Sequence, residues 1–234
     1  MKKNLLILIS STIILSCTNK KANNQNIEKT SKQKVSSFEV TDSSDIKINA
    51  NFPFGCSTLK KYKYPKNWES EVGSDGILEQ PQGKEFEEIE KCFQSVNLVK
   101  TINKPRVTEW KILKLGDDFK DSYSLNSVLQ KSTENCKYRL PNIGVYECYY
   151  SFVQDTEKYG AYGNLLLIDA KTKAGKVLNI YFEGSGDSST LYRYFLIEKS
   201  VINIYEGSCY DDGCSLDKKF TITINSKGEI NISK

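Results

Sequence analysis

The chain has 234 residues, 38% of them hydrophobic and 14 of them tyrosine, and it contains no histidine. The missing histidine excludes a Ser-His-Asp triad, a Cys-His pair and a histidine-based zinc site. Seven lysines and one glutamate precede residue 38, which leaves 26 basic and 28 acidic residues in the rest of the chain and no clustered basic patch for binding nucleic acid.

The first residues have the layout of an export signal. Lys2 and Lys3 form a positive start, and an apolar stretch over 5–15 is interrupted only by two serines and a threonine. The stretch is too short for a membrane-spanning helix, which needs roughly 20 apolar residues, but it suits the hydrophobic region of a signal peptide. We therefore predict that residues 1–16 are a signal peptide.

The apolar stretch ends in Ile14, Leu15, Ser16 and Cys17, a run that resembles the lipobox of bacterial lipoproteins. The resemblance covers residues 1–17. It implies that diacylglycerol is attached to the Cys17 thiol, that cleavage occurs before this residue, and that fatty acids such as palmitate hold the chain at the outer membrane, on its periplasmic or its surface-exposed face. The alternative is an ordinary signal peptide with an incidental cysteine.

The segment after the cysteine is polar. Residues 18–37 contain almost no large apolar side chain, so they cannot bury enough surface to offset the entropy lost on ordering. We predict a flexible, lipidated tether over 17–37 and a β-rich globular domain over 38–234. The first part of that domain, 38–130, is less regular and could form a separate subdomain.

One helix is predicted in the domain. Phe86, Ile89, Phe93 and Val96 recur at helical spacing. Several glutamates at the start of this segment suit the positive end of the helix dipole. The helix is therefore expected near residues 84–96.

Most of the remaining domain favours β-strands, because aromatic and β-branched residues recur between turn signals about every 10–16 residues. We predict a mainly β fold in which an antiparallel meander forms a sandwich, a barrel or a strongly curved sheet, with the helix covering an end or an edge. The predicted strands cover 107–115, 122–129, 146–153, 165–169, 177–183, 191–197, 201–206, 220–224 and 229–232.

Six cysteines remain once Cys17 is set aside, and an even number in an exported chain indicates disulfides. Cys136 and Cys148 flank a Pro-Asn pair that suits the centre of a β-turn. A hairpin closed at this turn would place the two cysteines opposite each other, so we predict a disulfide between them.

Two further disulfides are predicted. Cys209 and Cys214 flank a short loop with an Asp-Gly turn, and a bond across its neck is favoured over a redox pair or a metal knuckle, which would need other spacing or more ligands. Cys56 and Cys92 then pair by elimination, which would staple the predicted helix to the loop before it.

The sequence offers only weak candidates for a chemical site. Glu147, Glu183 and Asp187 are nominal candidates for carboxylate catalysis on a glycan, but nothing in the sequence pairs them. The acidic residues around Asp211 lack the ligand spacing that calcium requires. We therefore predict neither a metal nor a cofactor, and a non-enzymatic role is favoured.

Tyrosines are dense in the second half of the chain. Tyrosines on strands mostly pack in cores and at their rims, but an exposed row of them would make a binding face. The residues concerned are Tyr181, Tyr192, Tyr194 and Tyr205.

The expected function is that of a non-catalytic envelope lipoprotein that binds a protein partner, as an inhibitor or an immunity protein does. Its other contact is the membrane, through the lipid anchor, and no nucleic-acid partner is expected. The alternative is a carboxylate-based glycan-acting enzyme or a glycan-binding module. A structural or assembly role is the third interpretation.

Replacement of Cys17 by alanine tests the anchor. In bacteria grown with radiolabelled palmitate, the wild-type chain should carry label and the C17A chain should carry none, because the thiol is the predicted attachment point. Label on C17A at the wild-type level would contradict the assignment.

Overall fold

A computed structural model describes residues 49–69, 84–97, 100–103, 105–115, 135–155, 160–185 and 189–234. The predicted signal peptide, the tether, the predicted strand over 122–129 and Asp187 lie outside these residues. The described strands are β1 (Phe54–Gly55), β2 (Lys66–Glu69), β3 (Glu109–Leu113), β4 (Cys136–Ile143), β5 (Tyr146–Asp155), β6 (Gly160–Asp169), β7 (Ala174–Ser185), β8 (Thr190–Glu198), β9 (Val201–Tyr210), β10 (Gly213–Ile224) and β11 (Ile230–Ser233).

The strands form one sheet whose centre is a meander. Strands β4 to β11 pair in chain order, each antiparallel to the next. Three early strands join its sides: β1 pairs with β8, β2 pairs with β10, and β3 runs parallel to β7. The described residues form a mainly β fold with one α-helix, α1 (Lys84–Asn97), which confirms the predicted fold class. The described strands of 49–115, β1 to β3, thus belong to this same sheet.

The sheet curls until its first and last hairpins meet. The Tyr146 hydroxyl, at the start of β5, donates a buried hydrogen bond of 2.8 Å to the carbonyl of Gly228, between β10 and β11. A Cβ on Gly144 would lie 2.4 Å from the carbonyl oxygen of Asn225, so only glycine allows this approach. Register shifts in several strand pairs increase the local twist and so support the curl.

Helix α1 packs against the inner face of the curled sheet and closes the main core. Its apolar stripe of Phe86, Ile89 and Phe93 is almost completely buried. The Phe93 ring stacks on the Tyr194 ring at a centroid distance of 4.9 Å. A 3-10 helix, Ser57–Lys61, also contributes the buried Leu59 to this core. The helix therefore holds the strands around a common aromatic interior.

The outer face carries a second, smaller core. It is formed by Tyr149, Leu166, Ile168 and Val177, and Trp110 of β3 packs against it. Because side chains alternate along a strand, neighbouring residues of β6 serve the two cores in turn. None of the described helices combines the length and the apolar character that crossing a membrane would require.

The predicted disulfide between Cys136 and Cys148 is wrong. The hairpin turns at Gly144 and Val145, three residues after the predicted Pro-Asn turn, so that Ile143 pairs with Tyr146. The positive φ of Gly144, 58°, suits glycine. Cys136 consequently lies in the outer core and Cys148 in the main core, on opposite faces of the sheet. Both side chains are buried, and no disulfide joins them.

The disulfide predicted between Cys209 and Cys214 is present, as a direct cross-strand pair of β9 and β10 with a Cα–Cα distance of 4.0 Å. The third predicted bond is not formed, because Cys56 and Cys92 are free. Their side chains nevertheless form a hydrogen bond at the contact between the 3-10 helix and α1. Burial and this hydrogen bond raise the pKa of Cys56 to about 12.

Peptide mapping without reduction tests these assignments. Cys209 and Cys214 should be linked, whereas Cys136 and Cys148 should be unlinked and should react with iodoacetamide only after unfolding, because burial raises the pKa of each thiol to about 12. Treatment with oxidised glutathione should link Cys56 to Cys92, since the two thiols are in contact. A peptide joining Cys136 to Cys148 would contradict the register of the β4–β5 hairpin.

Candidate functional site

The four tyrosines considered for an exposed binding face lie in the main core instead. Tyr181, Tyr192, Tyr194 and Tyr205 are between 1% and 5% exposed. Three of them contact the aromatic stripe of α1, and Tyr205 packs against Tyr64. The core interpretation of these residues is therefore the one that the structure supports, and the exposed-face interpretation is wrong.

The two described carboxylates proposed for glycan chemistry do not face each other. Glu147 lies on the outer face and forms an ion pair of 2.7 Å with Lys173. Glu183 lies on the inner face and accepts a hydrogen bond of 2.7 Å from the Tyr181 hydroxyl, two residues earlier on the same strand. The structure therefore gives this pair no shared cleft.

A buried ion pair connects three strands on the outer face. The Nε of Arg193 on β8 donates to Oε1 of Glu206 on β9 at 2.7 Å, and its guanidinium also donates to the Asn179 side chain on β7 at 2.8 Å. Such a pair contributes little net stability but is costly to break, because one buried charge would be left without its partner. We interpret it as a structural cross-link.

The tip of the β9–β10 hairpin is the most prominent exposed feature. Tyr210 is 49% exposed, and it is the only aromatic ring among the large, exposed hydrophobic side chains of the described residues. It pairs with Gly213, and Asp211 and Asp212 form the exposed turn between them. We call Tyr210, Asp211 and Asp212 the hairpin tip.

Two connections brace the base of this tip. The Cys209–Cys214 disulfide joins the strands immediately beneath it. Strand β2 adds a third strand beside β10, so that Trp68 lies opposite Cys214. The Trp68 ring is buried, and its Nε1 donates to Oε2 of Glu85 on α1 at 2.9 Å. The tip is thus attached to the main core through a short, cross-linked sheet.

Glu90, a half-buried carboxylate on α1, was not among the site residues predicted from the sequence. Glu90 follows Phe86 by four residues and precedes Phe93 by three, so it lies on the helix face that packs against the sheet. Burial raises its pKa, and the nearby charges of Glu183 and Glu87 raise it further. The sequence feature that could have indicated this residue is a glutamate within the apolar stripe of a predicted helix.

Within the described residues, no group of three or more histidine, cysteine, aspartate or glutamate side chains is placed to hold a metal ion. Comparisons of the chain with protein-family models, curated proteins and solved structures found no match. The arrangement of the side chains therefore carries the functional inference. The hairpin tip presents a braced and exposed aromatic ring beside two carboxylates.

Proposed function

We propose that this protein is a non-catalytic, lipid-anchored lipoprotein of the bacterial envelope that binds a protein partner through its hairpin tip. The leader and Cys17 support the anchor, and the Cys209–Cys214 disulfide supports an oxidising location. The tip supports the mode of contact. An inhibitor or an immunity protein would act in this way, by occupying a surface of its target.

The observation that carries the proposal is the exposure of Tyr210 directly above the Cys209–Cys214 bond. Tyrosine is enriched at protein interfaces because it offers a large contact area with few rotatable bonds. A cross-linked base limits the entropy that the hairpin would lose on binding. An exposed ring held in this way is therefore suited to anchor a complex.

The charge at the tip indicates the chemistry of the partner. Asp211 and Asp212 are exposed beside the ring, so a complementary surface would combine an apolar pocket with basic groups at its rim. Complementary charges of this kind mainly increase the association rate and the specificity. The affinity would come chiefly from burial of the Tyr210 ring.

Site-specific photocrosslinking in native envelopes tests the contact. A photoreactive residue in place of Tyr210 should crosslink to one discrete protein. The same residue in place of Ile232 should not, although Ile232 is comparably exposed at 39% and lies on the edge strand β11. The same products from both positions, or none from position 210, would contradict the proposal.

Affinity measurements with the crosslinked protein test the same contact quantitatively. Y210A should weaken binding at least about 30-fold, the loss expected when a hot spot of about 2 kcal/mol is truncated. I232A is the matched control and should change the affinity less than about threefold, because it removes an exposed apolar side chain away from the tip. An equal effect of the two variants would place the interface elsewhere.

A further inference from the structure

Four of the connections between the meander strands lie at one end of the sheet. Because β4 to β11 run alternately in opposite directions, every second connection returns to the same end. The connections concerned are 144–145, 170–173, 199–200 and 225–229, and we call them the first to fourth basal turns. The hairpin tip belongs to the other end, and the 10 residues of β9 separate it from the third basal turn by about 30 Å.

Direct contacts join the basal turns into one surface. The backbone N–H of Ala170 donates to the carbonyl of Val145 at 3.1 Å, and that of Ile224 donates to the carbonyl of Ser200 at 2.9 Å. A Cβ added to Gly228 would lie 2.5 Å from Cγ2 of Val145. The first turn therefore contacts the second and the fourth, and the third contacts the end of β10 that leads into the fourth.

This surface collects lysines that are far apart in sequence. Residues 144–145, 170–173, 199–200 and 225–229 contain a single acid, Glu229, and four lysines, Lys171, Lys173, Lys199 and Lys227. Lys171, Lys199 and Lys227 are exposed, and none of the three forms an ion pair with another described residue. The sequence shows no basic run here, because the topology alone brings these turns together.

The acidic residues in and beside the basal turns each have another partner. Two form ion pairs, Glu147 with Lys173 at 2.7 Å and Glu198 with a lysine of the 3-10 helix. The other two accept hydrogen bonds, Asp169 from two backbone N–H groups at 2.9 and 2.8 Å and Glu229 from a side-chain amide. Strand β3 adds one exposed glutamate and one exposed lysine. The three exposed turn lysines thus present their ammonium groups to solvent without a carboxylate in contact.

Two of the turn lysines have a backbone conformation that lysine rarely adopts. The φ of Lys173 is 59° and that of Lys199 is 53°, and no other non-glycine residue in the described part of the chain has a positive φ. The left-handed region is disfavoured for residues with a Cβ and is usually occupied by glycine or asparagine. Strain of this kind is concentrated at functional positions, so it indicates a use for these turns.

An apolar side chain lies at the centre of the basal turns. Val145 is 36% exposed, and it contacts the second and the fourth turn. Lysines around an exposed apolar residue are typical of surfaces that lie on membranes, where the apolar group enters the headgroup region and the lysines meet anionic lipids. The lysines alone would also suit an acidic protein, but the central valine and the proposed lipid anchor favour a lipid surface.

We propose that the basal turns contact anionic lipid headgroups and orient the domain so that the hairpin tip points away from the membrane. The proposal rests on the lipid anchor of the proposed function, which brings the domain to a membrane. The anchor alone does not set the orientation, because residues 18–48 lie between Cys17 and the first described residue. In this orientation Tyr210 is presented to a partner on the side away from the lipid.

Energy transfer in vesicles tests the orientation. The full-length chain, purified from bacterial envelopes, carries a fluorescent amino acid at Ser226 in the fourth basal turn or at Ser215 near the hairpin tip, both of which are exposed. The vesicles contain phosphatidylcholine, about 30% phosphatidylglycerol and a headgroup-labelled acceptor lipid. Transfer from position 226 should be at least about twofold greater than from position 215, because each lysine near such a surface favours contact about fivefold.

The charge dependence is tested with the same signal. Vesicles of phosphatidylcholine alone should abolish the difference between the two positions, as should about 1 M NaCl, which shortens the Debye length to about 3 Å. K171Q/K199Q/K227Q should lower transfer from position 226 in anionic vesicles to its value in neutral ones. The matched control K91Q/K218Q/K219Q removes the same charge from exposed lysines on α1 and in the middle of β10, and it should leave the transfer unchanged.

Equal transfer from the two positions in anionic vesicles, or an unchanged signal in K171Q/K199Q/K227Q, would overturn the orientation and leave the anchor intact. An absence of transfer from both positions would contradict the anchor and this inference with it. Crosslinking through Tyr210 depends on neither result, so a failure of the contact at the hairpin tip is distinguishable from a failure of the membrane contact.

Discussion

The packing of α1 against the tyrosines of β7 and β8 is the contact on which the rest of the structure depends. The helix inserts Phe86 and Phe93 among these rings, and every ring so engaged is nearly or fully buried. Aromatic pairs in such arrangements contribute beyond their buried area. A curled sheet needs a filled interior, and this helix supplies much of that filling.

The position of the hairpin tip follows from this packing. Trp68 contacts Phe86 at a centroid distance of 5.4 Å and Glu85 through its indole nitrogen, so α1 fixes β2, which in turn braces the strand that carries the hairpin tip. The same helix face positions Glu90 over the sheet. A single apolar stripe thus sets the position of the proposed protein contact.

Much of the fold could be predicted from local patterns. The helix follows from the spacing of its buried residues, and the meander follows from alternation and turns. The alternation pattern did not predict the strand bounds correctly where the sheet departs from ideal geometry. Strand β10 begins at Gly213, well before the predicted 220, because its first half is polar and a register shift between Lys218 and Phe220 interrupts the alternation. In β6, Gly163 makes room for the Tyr150 hydroxyl.

The candidate sites were harder to predict, because alternation shows that residues share a face but does not show which face is inside. The spacing of the four tyrosines fits both interpretations, and they lie in the core because α1 and Tyr64 pack over them. The approach of Glu183 to Glu90, which raises the pKa of Glu90, brings together segments far apart in sequence, and no local pattern encodes it. Tyr210 was overlooked because a single exposed ring has no periodicity.

Denaturant unfolding of F93A tests the central contact most directly. We predict a loss of about 3–5 kcal/mol in the free energy of unfolding, because the Phe93 ring is 1% exposed and stacks on Tyr194. The control Q94A, on the exposed side of the same helix, should change it by less than about 0.5 kcal/mol. An F93A loss no larger than that of Q94A would contradict the claim that this contact holds the sheet.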